Sequence, residues 1–276
     1  PRLGSVDEVI AFAREAKIDL IILTLPLTAA RRILSLLRRL WVLPAEVRLS
    51  AYSQDFSGRE FALDDGPLIP ALRKPISRLG RGAKRAMDVA VSAVGLALAA
   101  PVMAAAALAV RLSGPGPILF RQRRQGFNDA EFEVLKFRTL HHAQAEPEAR
   151  RLVTRDDPRV TRAGRVLRRT SLDELPQLWN VLRGDMSLVG PRPHAVGARS
   201  AQAETFDQIV EGYSGRHRVK PGLTGLAQVE GWRGEVGDAE SLRRRFEADL
   251  RYIDGWSLWL DMRIMLGTPW ALVRTS

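Results

Sequence analysis

The sequence predicts a partial, Rossmann-like α/β fragment followed by a mixed α+β monotopic membrane domain, joined to the bilayer by a re-entrant helix-break-helix. Three observations lead to this order: a helix–strand–helix–strand pattern in residues 1–52, an uncharged run of 22 residues from Val89 to Val110, and mixed helix and strand patterns after it. The predicted divisions are therefore 1–52, a linker over 53–80, a membrane segment over 81–112 and a cytoplasmic domain over 113–276.

The amino-terminal elements follow from capping and hydrophobic pattern. Ser5 to Glu8 forms a capping box that opens a short helix. Residues 18–25 are an almost unbroken apolar run, typical of a buried parallel strand, and a basic helix over 28–40 and a strand over 47–51 follow. The first strand and the glycine-rich phosphate turn of a doubly wound domain are missing, so we assign this fragment no ligand. Because the chain opens on Pro1 rather than Met, we expect a processed or truncated chain.

The membrane segment is the dominant feature. Residues 53–80, rich in Ser, Asp, Gly and Pro, predict a linker before it. The 22 uncharged residues of the membrane segment, Val89 to Val110, are enough to cross roughly 30 Å of hydrocarbon. Basic residues flank both ends, and Lys and Arg mark the cytoplasmic side, so a simple span would place one cluster on the wrong face. Pro101, near the middle, kinks a helix. Together these favour a re-entrant helix with its break at Pro101; a single spanning helix and a buried core helix are the alternatives.

Composition narrows the function classes. The 276 residues carry a formal net charge of +11, which indicates a polyanionic partner such as nucleic acid, anionic lipid or a phosphorylated substrate. The absence of Cys excludes disulfides, thiolate zinc sites and cysteine nucleophiles. Four scattered His do not favour a histidine metal site. The remaining classes are those that bind phosphate or anionic lipid through Arg.

Asp173 and Glu174 form the most informative candidate site. They stand just before Pro176, which cannot lie deep inside a helix, so a helix near 174–183 should begin close to it. The two carboxylates would then lie at a helix N-terminus, where the backbone dipole favours negative charge, and a purely capping role is the alternative. Arg168 precedes them, and this mixture suits a metal-bound diphosphate, with carboxylate on Mg²⁺ and guanidinium on phosphate oxygens.

Other basic residues could complete such a site. Arg192 lies between Pro191 and Pro193, whose stiff extended backbone would hold its guanidinium ready to bind an anion. The alternative is that this segment is only a structural turn. Lys136 and Arg138 share one face of a predicted strand by their spacing of two and would form a second phosphate clamp, although solvated surface charge is the common alternative.

The carboxyl-terminal part predicts a strand over 131–137, a long helix over 238–254 and an amphipathic tail. The tail carries Trp256, Trp259 and Trp270. Tryptophan at the edge of apolar stretches suits a membrane interface, although core packing is the alternative.

Residues 84–276 resemble the bacterial sugar transferases, the monotopic polyprenyl-phosphate phosphoglycosyl transferases. The matching strings, in order, are Lys84-Arg85-Ala86-Met87-Asp88, Gly114-Pro115-Gly116-Pro117, Lys136-Phe137-Arg138, Ser171-Leu172-Asp173-Glu174-Leu175-Pro176-Gln177-Leu178, Met186-Ser187-Leu188-Val189-Gly190-Pro191-Arg192-Pro193, Pro221-Gly222-Leu223-Thr224-Gly225 and Trp256-Ser257-Leu258-Trp259-Leu260-Asp261. The segments 193–196 and 231–235 resemble the branch that transfers glucose 1-phosphate, and the α/β fragment resembles the soluble domain of the large members. Ala100, Thr139, Leu140, Leu226 and Glu230 depart from the family pattern, the last with a consequence for the sugar pocket.

The resemblance implies the chemistry. Asp173 would be the nucleophile toward the β-phosphorus of a UDP-sugar, and Glu174 its partner, holding Mg²⁺ or moving a proton. UMP would leave, and undecaprenyl phosphate would take the phosphosugar. The same resemblance places Arg168 and Arg192 on the donor, and Lys84, Arg85 and Asp88 near the lipid phosphate. It also implies the cytoplasmic face of the bacterial inner membrane and the first membrane step of exopolysaccharide or capsule synthesis.

Two other classes compete with a transferase. A non-enzymatic basic adaptor at the membrane surface would use Asp173 and Glu174 only as caps. A nucleic-acid binder has charge in its favour, but no recognition motif, and the uncharged membrane segment against it, so we expect no nucleic acid as a partner. A homodimer through the α/β fragment is a further expectation, because its incomplete sheet leaves an edge to cover.

Overall fold

The computed structural model describes residues 4–26, 28–50, 68–142, 157–197, 206–232 and 239–274. The chain divides into two compact units, Pro1–Ser77 and Arg78–Ser276. The elements of the first unit are α1 (Val6–Glu15), β1 (Leu20–Leu23), α2 (Ala30–Leu40), β2 (Glu46–Ser50) and β3 (Leu68–Leu72). The predicted capping box is present, since the Ser5 side chain accepts from the Glu8 backbone and the Glu8 side chain bonds back to the cap.

The first unit is a three-stranded sheet in the order β1-β2-β3. β1 and β2 are parallel, as the helix–strand–helix–strand pattern predicts, and α1 and α2 pack on the sheet around Ala13, Leu40 and Val47. The Rossmann-like assignment remains a prediction. β3 differs from the sequence analysis, because it lies within the predicted linker over 53–80, of which residues 53–67 are outside the described ranges. Its Pro70 favours a linker in sequence, but β3 is an edge strand, where proline is tolerated.

The second unit mixes helices with two small sheets. Its elements are α3 (Arg78–Leu112), β4 (Leu119–Gln125), β5 (Glu131–Phe137), α4 (Arg162–Arg169), α5 (Gln177–Arg183), β6 (Ser187–Val189), α6 (Phe206–Ile209), β7 (Gly222–Thr224), α7 (Leu226–Val229), α8 (Ala239–Asp254) and α9 (Leu258–Arg274). β4 and β5 form an antiparallel pair, and β6 and β7 a parallel pair. The strand over 131–137 and the long helix over 238–254 are found within one residue of their predicted bounds.

Helix α3 contains the predicted membrane segment. Its 35 residues would reach about 52 Å at 1.5 Å per residue. Among the described residues it is the one helix long and apolar enough to span a bilayer, with a mean hydropathy of 2.2 over its most apolar window and 11% of that window buried. Pro101 lies inside it, and the helix continues through that position. The predicted break is therefore not seen as an interruption of the helix, and the re-entrant path remains a prediction.

Buried polar contacts fix the amino-terminal half of α3 to the rest of its unit. Lys84 donates to Asp261 Oδ2 at 2.7 Å and to the Val189 carbonyl at 3.0 Å. The hydroxyl of Tyr252 lies 2.8 Å from the other Asp261 oxygen. Asp88 accepts from the Ser187 hydroxyl at 2.8 Å. We call Lys84, Asp88, Ser187, Tyr252 and Asp261 the anchor cluster.

The carboxyl-terminal end of α3 is held by Arg138. Its guanidinium donates to the carbonyls of Val110 at 3.1 Å, Gly114 at 2.8 Å and Pro115 at 2.5 Å. Val110 also packs in an apolar cluster with Phe137 of β5. Both ends of α3 are therefore bonded to one compact unit.

Helix α9 presents an apolar surface to solvent. Its exposed large side chains are Trp259, Met262, Leu266 and Trp270, with Leu266 80% exposed. Their spacing of three and four residues places them on one side of the helix. Trp256, in contrast, is half-buried and donates its indole N–H to Asp261 at 3.2 Å.

Candidate active site

The two candidate carboxylates lie on a short 3₁₀ turn, Leu172–Glu174, directly before α5. Pro176 is the N-cap of α5, which begins at Gln177, so the helix starts after this proline rather than before it as the sequence predicts. Ser171, ahead of the turn, has φ +58°, a left-handed conformation that is costly for a residue with a side chain. The turn therefore holds Asp173 and Glu174 in a separate, strained segment between α4 and α5.

Glu174 is held by two cations. Lys136 donates to its Oε1 at 2.9 Å, and Arg192 donates to Oε1 at 2.5 Å and to Oε2 at 3.2 Å. The side chain of Glu174 is only 13% exposed. Burial by itself would raise the pKa of this carboxyl, but the charges of Arg192 and Lys136 outweigh it and lower the pKa well below its ordinary value. Glu174 is therefore ionised and bonded through both oxygens.

Asp173 has the opposite environment. Within the part of the chain that the structure describes, no hydrogen bond or ion pair reaches its carboxylate. Burial raises its pKa above the ordinary value, and the adjacent Glu174 charge adds to the rise, whereas Lys136, Arg168 and Arg192 oppose it. Two neighbouring carboxyl groups thus have pKa values shifted in opposite directions, which is how acid–base and nucleophilic roles are divided in enzyme sites. We call Lys136, Asp173, Glu174 and Arg192 the carboxylate site.

Arg192 is positioned by two backbone segments, around Gly190 and Gly222, that lie unusually close together. Strand β6 leads into Gly190 and Pro191, and the parallel strand β7 begins at Gly222. The Gly190 amide donates to the Thr224 carbonyl at 2.9 Å, and the Gly222 amide donates to the Pro191 carbonyl at 2.9 Å. A Cβ at Gly190 or Gly222 would lie inside van der Waals contact with the other segment's backbone, so these glycines permit the approach.

Lys136 is positioned by the packing of β5 against α5. The Asn180 side chain, fully buried, accepts from the Leu135 amide at 3.0 Å and donates to the Glu133 carbonyl at 2.7 Å. These bonds fix the strand that carries Lys136 to the helix that follows Glu174. Burial lowers the pKa of Lys136, while the Glu174 charge opposes that shift.

Arg124 is a member of this neighbourhood that sequence reasoning missed. It donates to the Pro193 carbonyl at 2.5 Å and to Gln122 at 2.6 Å. Burial and the nearby Arg192 charge lower its pKa to about 10. In sequence it reads only as one of several basic residues flanking the membrane segment. On β4 it is paired with Phe132 of β5 and reaches the Pro193 carbonyl, and no local sequence pattern indicates either contact.

The other predicted site residues divide into two groups. Arg168 lies exposed in the last turn of α4, yet its charge lowers the pKa of Asp173, so the structure keeps it near the pair. Arg138 is not brought to the carboxylate site, because its donors are used at the end of α3. Lys84 and Asp88 lie in the anchor cluster, and Arg85 donates to the Val181 and Leu182 carbonyls at the end of α5.

A second polar cluster adjoins Arg192. Arg216, buried, donates to the Arg192 carbonyl at 2.7 Å and pairs with Asp249 at 2.7 Å. It also donates to His194 Nδ1 at 2.9 Å. Burial and the neighbouring Arg216 charge hold the pKa of His194 well below its ordinary value, so the ring is neutral. The cluster borders a small cavity of about 20 Å³, partly open to solvent, with room for roughly one water molecule.

The fit of Mg²⁺ to the carboxylate pair depends on which carboxylate oxygens are available. Mg²⁺ is usually bound through one or two carboxylates, with substrate phosphates and water as the other ligands. Asp173 offers a carboxylate without a partner among the described residues, and Glu174 stands beside it. No group of three or more acidic or histidine side chains assembles a metal site within the described ranges. Asp173 could therefore take part in binding Mg²⁺ that arrives with a phosphorylated substrate, whereas both oxygens of Glu174 are already bonded to Lys136 and Arg192.

Comparison with known proteins covers both units. Residues 79–275 match the family model described as bacterial sugar transferase, and residues 1–51 match one described as a CoA-binding domain. The chain is 44% identical over 270 residues to the undecaprenyl-phosphate glucose phosphotransferase of Komagataeibacter xylinus, covering 96% of this chain and 50% of that protein. It is 40% identical over 268 residues to the UDP-glucose:undecaprenyl-phosphate glucose-1-phosphate transferase of Escherichia coli K12, covering 96% of this chain and 57% of the relative.

A third relative matches a shorter stretch of the chain. It is the UDP-glucose:undecaprenyl-phosphate glucose-1-phosphate transferase of Caulobacter vibrioides, 50% identical over 193 residues, which cover 70% of each chain. This chain thus spans about half the length of the first two relatives.

Proposed function

Since the chain belongs to the bacterial sugar transferase family, we propose that it transfers a sugar 1-phosphate, glucose 1-phosphate first among the candidates, from a UDP-sugar to undecaprenyl phosphate and releases UMP. One observation carries this proposal: among the residues that the structure describes, Asp173 has no hydrogen-bond or ion-pair partner, while both oxygens of Glu174 beside it are bonded. A pair of helix caps in a surface adaptor has no need of such a difference. The names of the relatives support glucose as the sugar.

Asp173 acts as the nucleophile in this proposal. Its carboxylate oxygen attacks the β-phosphorus of the UDP-sugar, the bond from that phosphorus to the bridging oxygen breaks, and UMP leaves with the bond electrons. The product is an acyl phosphate that carries the sugar. A phosphate oxygen of the lipid then attacks the same phosphorus and releases the Asp173 carboxylate. One phosphoanhydride is broken and one is made, so the reaction requires no ATP.

The cations of the site serve the charge that develops on the transferred phosphoryl group. Arg192 and Lys136 both bond to Glu174 and would donate hydrogen bonds to phosphate oxygens of the UDP-sugar, and Arg124 lies near enough to lower the pKa of Lys136. Arg168, exposed in the last turn of α4, lies near enough to Asp173 to lower its pKa and would also meet a phosphate of the donor. Asp173 would take part in holding Mg²⁺, which supplies charge neutralisation when it is bound.

We propose a re-entrant path for α3, on the cytoplasmic face of the bacterial inner membrane, and a place in exopolysaccharide synthesis. Lys84 and Val110, near the two ends of the helix, are both bonded to one folded unit with a polar interior. A spanning helix would have to separate these ends by about 30 Å of hydrocarbon. A helix that dips at Pro101 and returns would differ from the continuous α3 described above, but it would leave both contacts on one face of the membrane and would hold the site at headgroup depth.

Single cysteines test this topology without background, because the chain has no Cys. Gly82→Cys and Ser113→Cys flank the apolar segment. In inside-out membrane vesicles, a membrane-impermeant maleimide is expected to label both. Labelling of one in inside-out vesicles and of the other only in right-side-out vesicles would establish a spanning helix instead.

The transfer itself is tested with purified protein in detergent, Mg²⁺, UDP-glucose and undecaprenyl phosphate. We expect UMP release that depends on the lipid phosphate and disappears in Asp173→Asn. Turnover with another UDP-sugar alone would keep the reaction and change the sugar. Tight binding to anionic vesicles with no UMP release from any donor would favour the adaptor.

A further inference from the structure

Gln177 is a nearly buried polar residue that the mechanism above does not use. It is the first residue of α5 and lies four residues after Asp173 in the chain. The residue is 3% exposed, and its side-chain amide has no hydrogen-bond partner among the described residues. The amide is not completely enclosed either, so it reaches space that solvent or a substrate can enter. Buried polar groups are nearly always paired, with protein or with a bound molecule.

Gln177 lines a small cavity beside the carboxylate site. The other walls of the cavity are Arg124, Val134, Lys136, Arg192 and Pro193. Its volume is about 10 Å³, which is room for no more than one water-sized group. A whole phosphate or a sugar does not fit into this space, whereas a single phosphate oxygen does. The cavity is therefore suited to receive one oxygen of a larger group that lies outside it.

The charge around this cavity favours an anion. Three of the lining residues are cations, Arg124, Lys136 and Arg192, and the carboxylates whose charges act on them are Glu174 and Asp173. Three cations against two carboxylates leave a surplus of positive charge even when both carboxylates are ionised. Neither carboxylate lines the cavity itself. A negatively charged oxygen in the cavity would therefore offset the surplus.

We propose that Gln177 is a further substrate-binding residue, whose side-chain amide N–H donates to one nonbridging oxygen of the β-phosphate while the phosphosugar is transferred. This inference rests on the proposed function. When the Asp173 oxygen bonds to the β-phosphorus and the bond to UMP breaks, the nonbridging oxygens carry negative charge that preorganised donors stabilise. The amide adds a donor without adding another buried charge to the three cations.

A purely structural role would use the other end of the same amide. The amide oxygen can only accept, so a Gln177 that served stability alone would accept from a neighbouring cation or from a water molecule. A glutamate of the same size would perform that role better, because a carboxylate binds a cation more strongly than an amide does. The same glutamate would repel a phosphate oxygen. Gln177→Glu therefore separates the two roles by the direction of its effect.

The experiment uses the full chain in detergent with Mg²⁺, UDP-glucose and undecaprenyl phosphate. Gln177→Leu and Gln177→Glu are compared with wild type and with the control Gln208→Leu, which alters an exposed glutamine on α6. For each protein, kcat and KM for UDP-glucose, the inhibition constant of UMP and the midpoint of thermal unfolding are measured. UMP carries the α-phosphate but no β-phosphate, so its inhibition constant reports whether the rest of the donor site is intact.

We expect Gln177→Leu to lower kcat about 10- to 100-fold, the range for one hydrogen bond to a charged group. KM and the inhibition constant of UMP should stay within about twofold of wild type, because the lost hydrogen bond is strongest while charge develops at the β-phosphorus. Gln177→Glu should be slower than Gln177→Leu, and Gln208→Leu should match wild type throughout.

Three results would overturn the proposal. The first is a wild-type kcat in Gln177→Leu, and the second is a Gln177→Glu protein that turns over as fast as wild type. The third is a loss of kcat in Gln177→Leu with an equal loss of UMP affinity and a lower unfolding midpoint, which would assign Gln177 to packing. Absence of wild-type turnover with every UDP-sugar would instead overturn the proposed function.

Discussion

The second unit contains two clusters of buried charge, and they differ in how completely their members are paired. In the anchor cluster, Lys84 and Asp88 both meet partners within hydrogen-bond distance, and each oxygen of Asp261 has one. In the carboxylate site, Glu174 is as fully bonded as Asp261, but Asp173 has no partner among the described residues.

The difference separates a structural role from a chemical one. Burying a charge is costly, and a cluster that serves only stability pairs every charge, as the anchor cluster does. A carboxylate that is desolvated, close to cations and left without a hydrogen bond keeps an oxygen available for reaction. Perturbed groups of this kind concentrate at functional sites. Asp173, rather than the better-bonded Glu174 or Asp261, is therefore the group on which activity should depend most directly.

The largest effect is expected from Asp173→Asn. Removing the nucleophile should reduce UMP release on the order of 10³-fold or more, because Glu174, the other carboxylate of the site, is bonded through both oxygens. The fold should persist, since the Asp173 carboxylate makes no hydrogen bond or ion pair with the described residues that the amide would break. Turnover and thermal unfolding are measured on the same preparation. An active Asp173→Asn protein would remove the distinction between the two clusters.

A substitution in the anchor cluster should lower the stability of the protein, whereas Asp173→Asn should lower its activity. Lys84→Met leaves Asp261 buried beside an apolar side chain and should cost about 3–5 kcal/mol of stability, measured by denaturation in detergent. The double variant Lys84→Met with Asp261→Leu should recover much of that loss. If the single variant retained wild-type stability but lost lipid-dependent turnover, Lys84 would belong to the lipid phosphate site that its motif implies.

Arg168 and Arg138 provide a second comparison, between an arginine near Asp173 and an arginine that holds the end of α3. Arg168→Gln should raise the UMP inhibition constant by about 2- to 10-fold, since an exposed guanidinium near Asp173 is placed to meet phosphate. Arg138→Gln should leave UMP inhibition unchanged and lower the unfolding midpoint, because its guanidinium holds three carbonyls at the end of α3. If Arg138→Gln instead weakened UMP inhibition and Arg168→Gln did not, Arg138 would belong to the phosphate clamp that the sequence predicts for it with Lys136.

The smallest expected effect is on the pH dependence of stability. The pKa of Asp173 is raised in the folded protein, so its ionised form costs stability above that pKa, and the cost disappears as the pH falls through it. The pKa of Glu174 is lowered, so its contribution is present above its ordinary pKa and is lost as the pH falls through the folded value.

Melting curves between neutral and acidic pH check both signs. Asp173→Asn should unfold slightly above wild type at neutral pH, and this advantage should shrink on acidification. Glu174→Gln should unfold below wild type at neutral pH. An Asp173→Asn protein less stable than wild type at neutral pH would mean that this carboxylate has a partner after all.

Local rules predicted the elements whose causes are local. The capping box at Ser5, the alternating strand of β5 and the long α8 all follow from side chains within one element. Strand β3 was missed because Pro70 indicates a loop unless the strand lies at a sheet edge, which is a tertiary fact.

The site was predictable as a set of residues but not as a set of contacts. Local patterns around Pro176, Pro191 and the strand over 131–137 indicated Asp173, Glu174, Arg192 and Lys136, and the family strings, which contain the same residues, implied their roles. The same spacing argument placed Arg138 beside Lys136, but the carbonyls that Arg138 holds lie more than twenty residues away, where no local pattern indicates them. Arg124 was missed for the same reason, because its partner carbonyl is 69 residues away.

The central claim is that Asp173 becomes covalently bonded to the phosphosugar. Intact-protein mass spectrometry tests it directly, with purified protein incubated with Mg²⁺ and UDP-glucose in the absence of the lipid acceptor. The account predicts a hexose-phosphate adduct on the wild type that is absent from Asp173→Asn and is discharged on adding undecaprenyl phosphate. Lipid-dependent release of UMP with no adduct under any donor would contradict it and establish direct transfer between the two substrates.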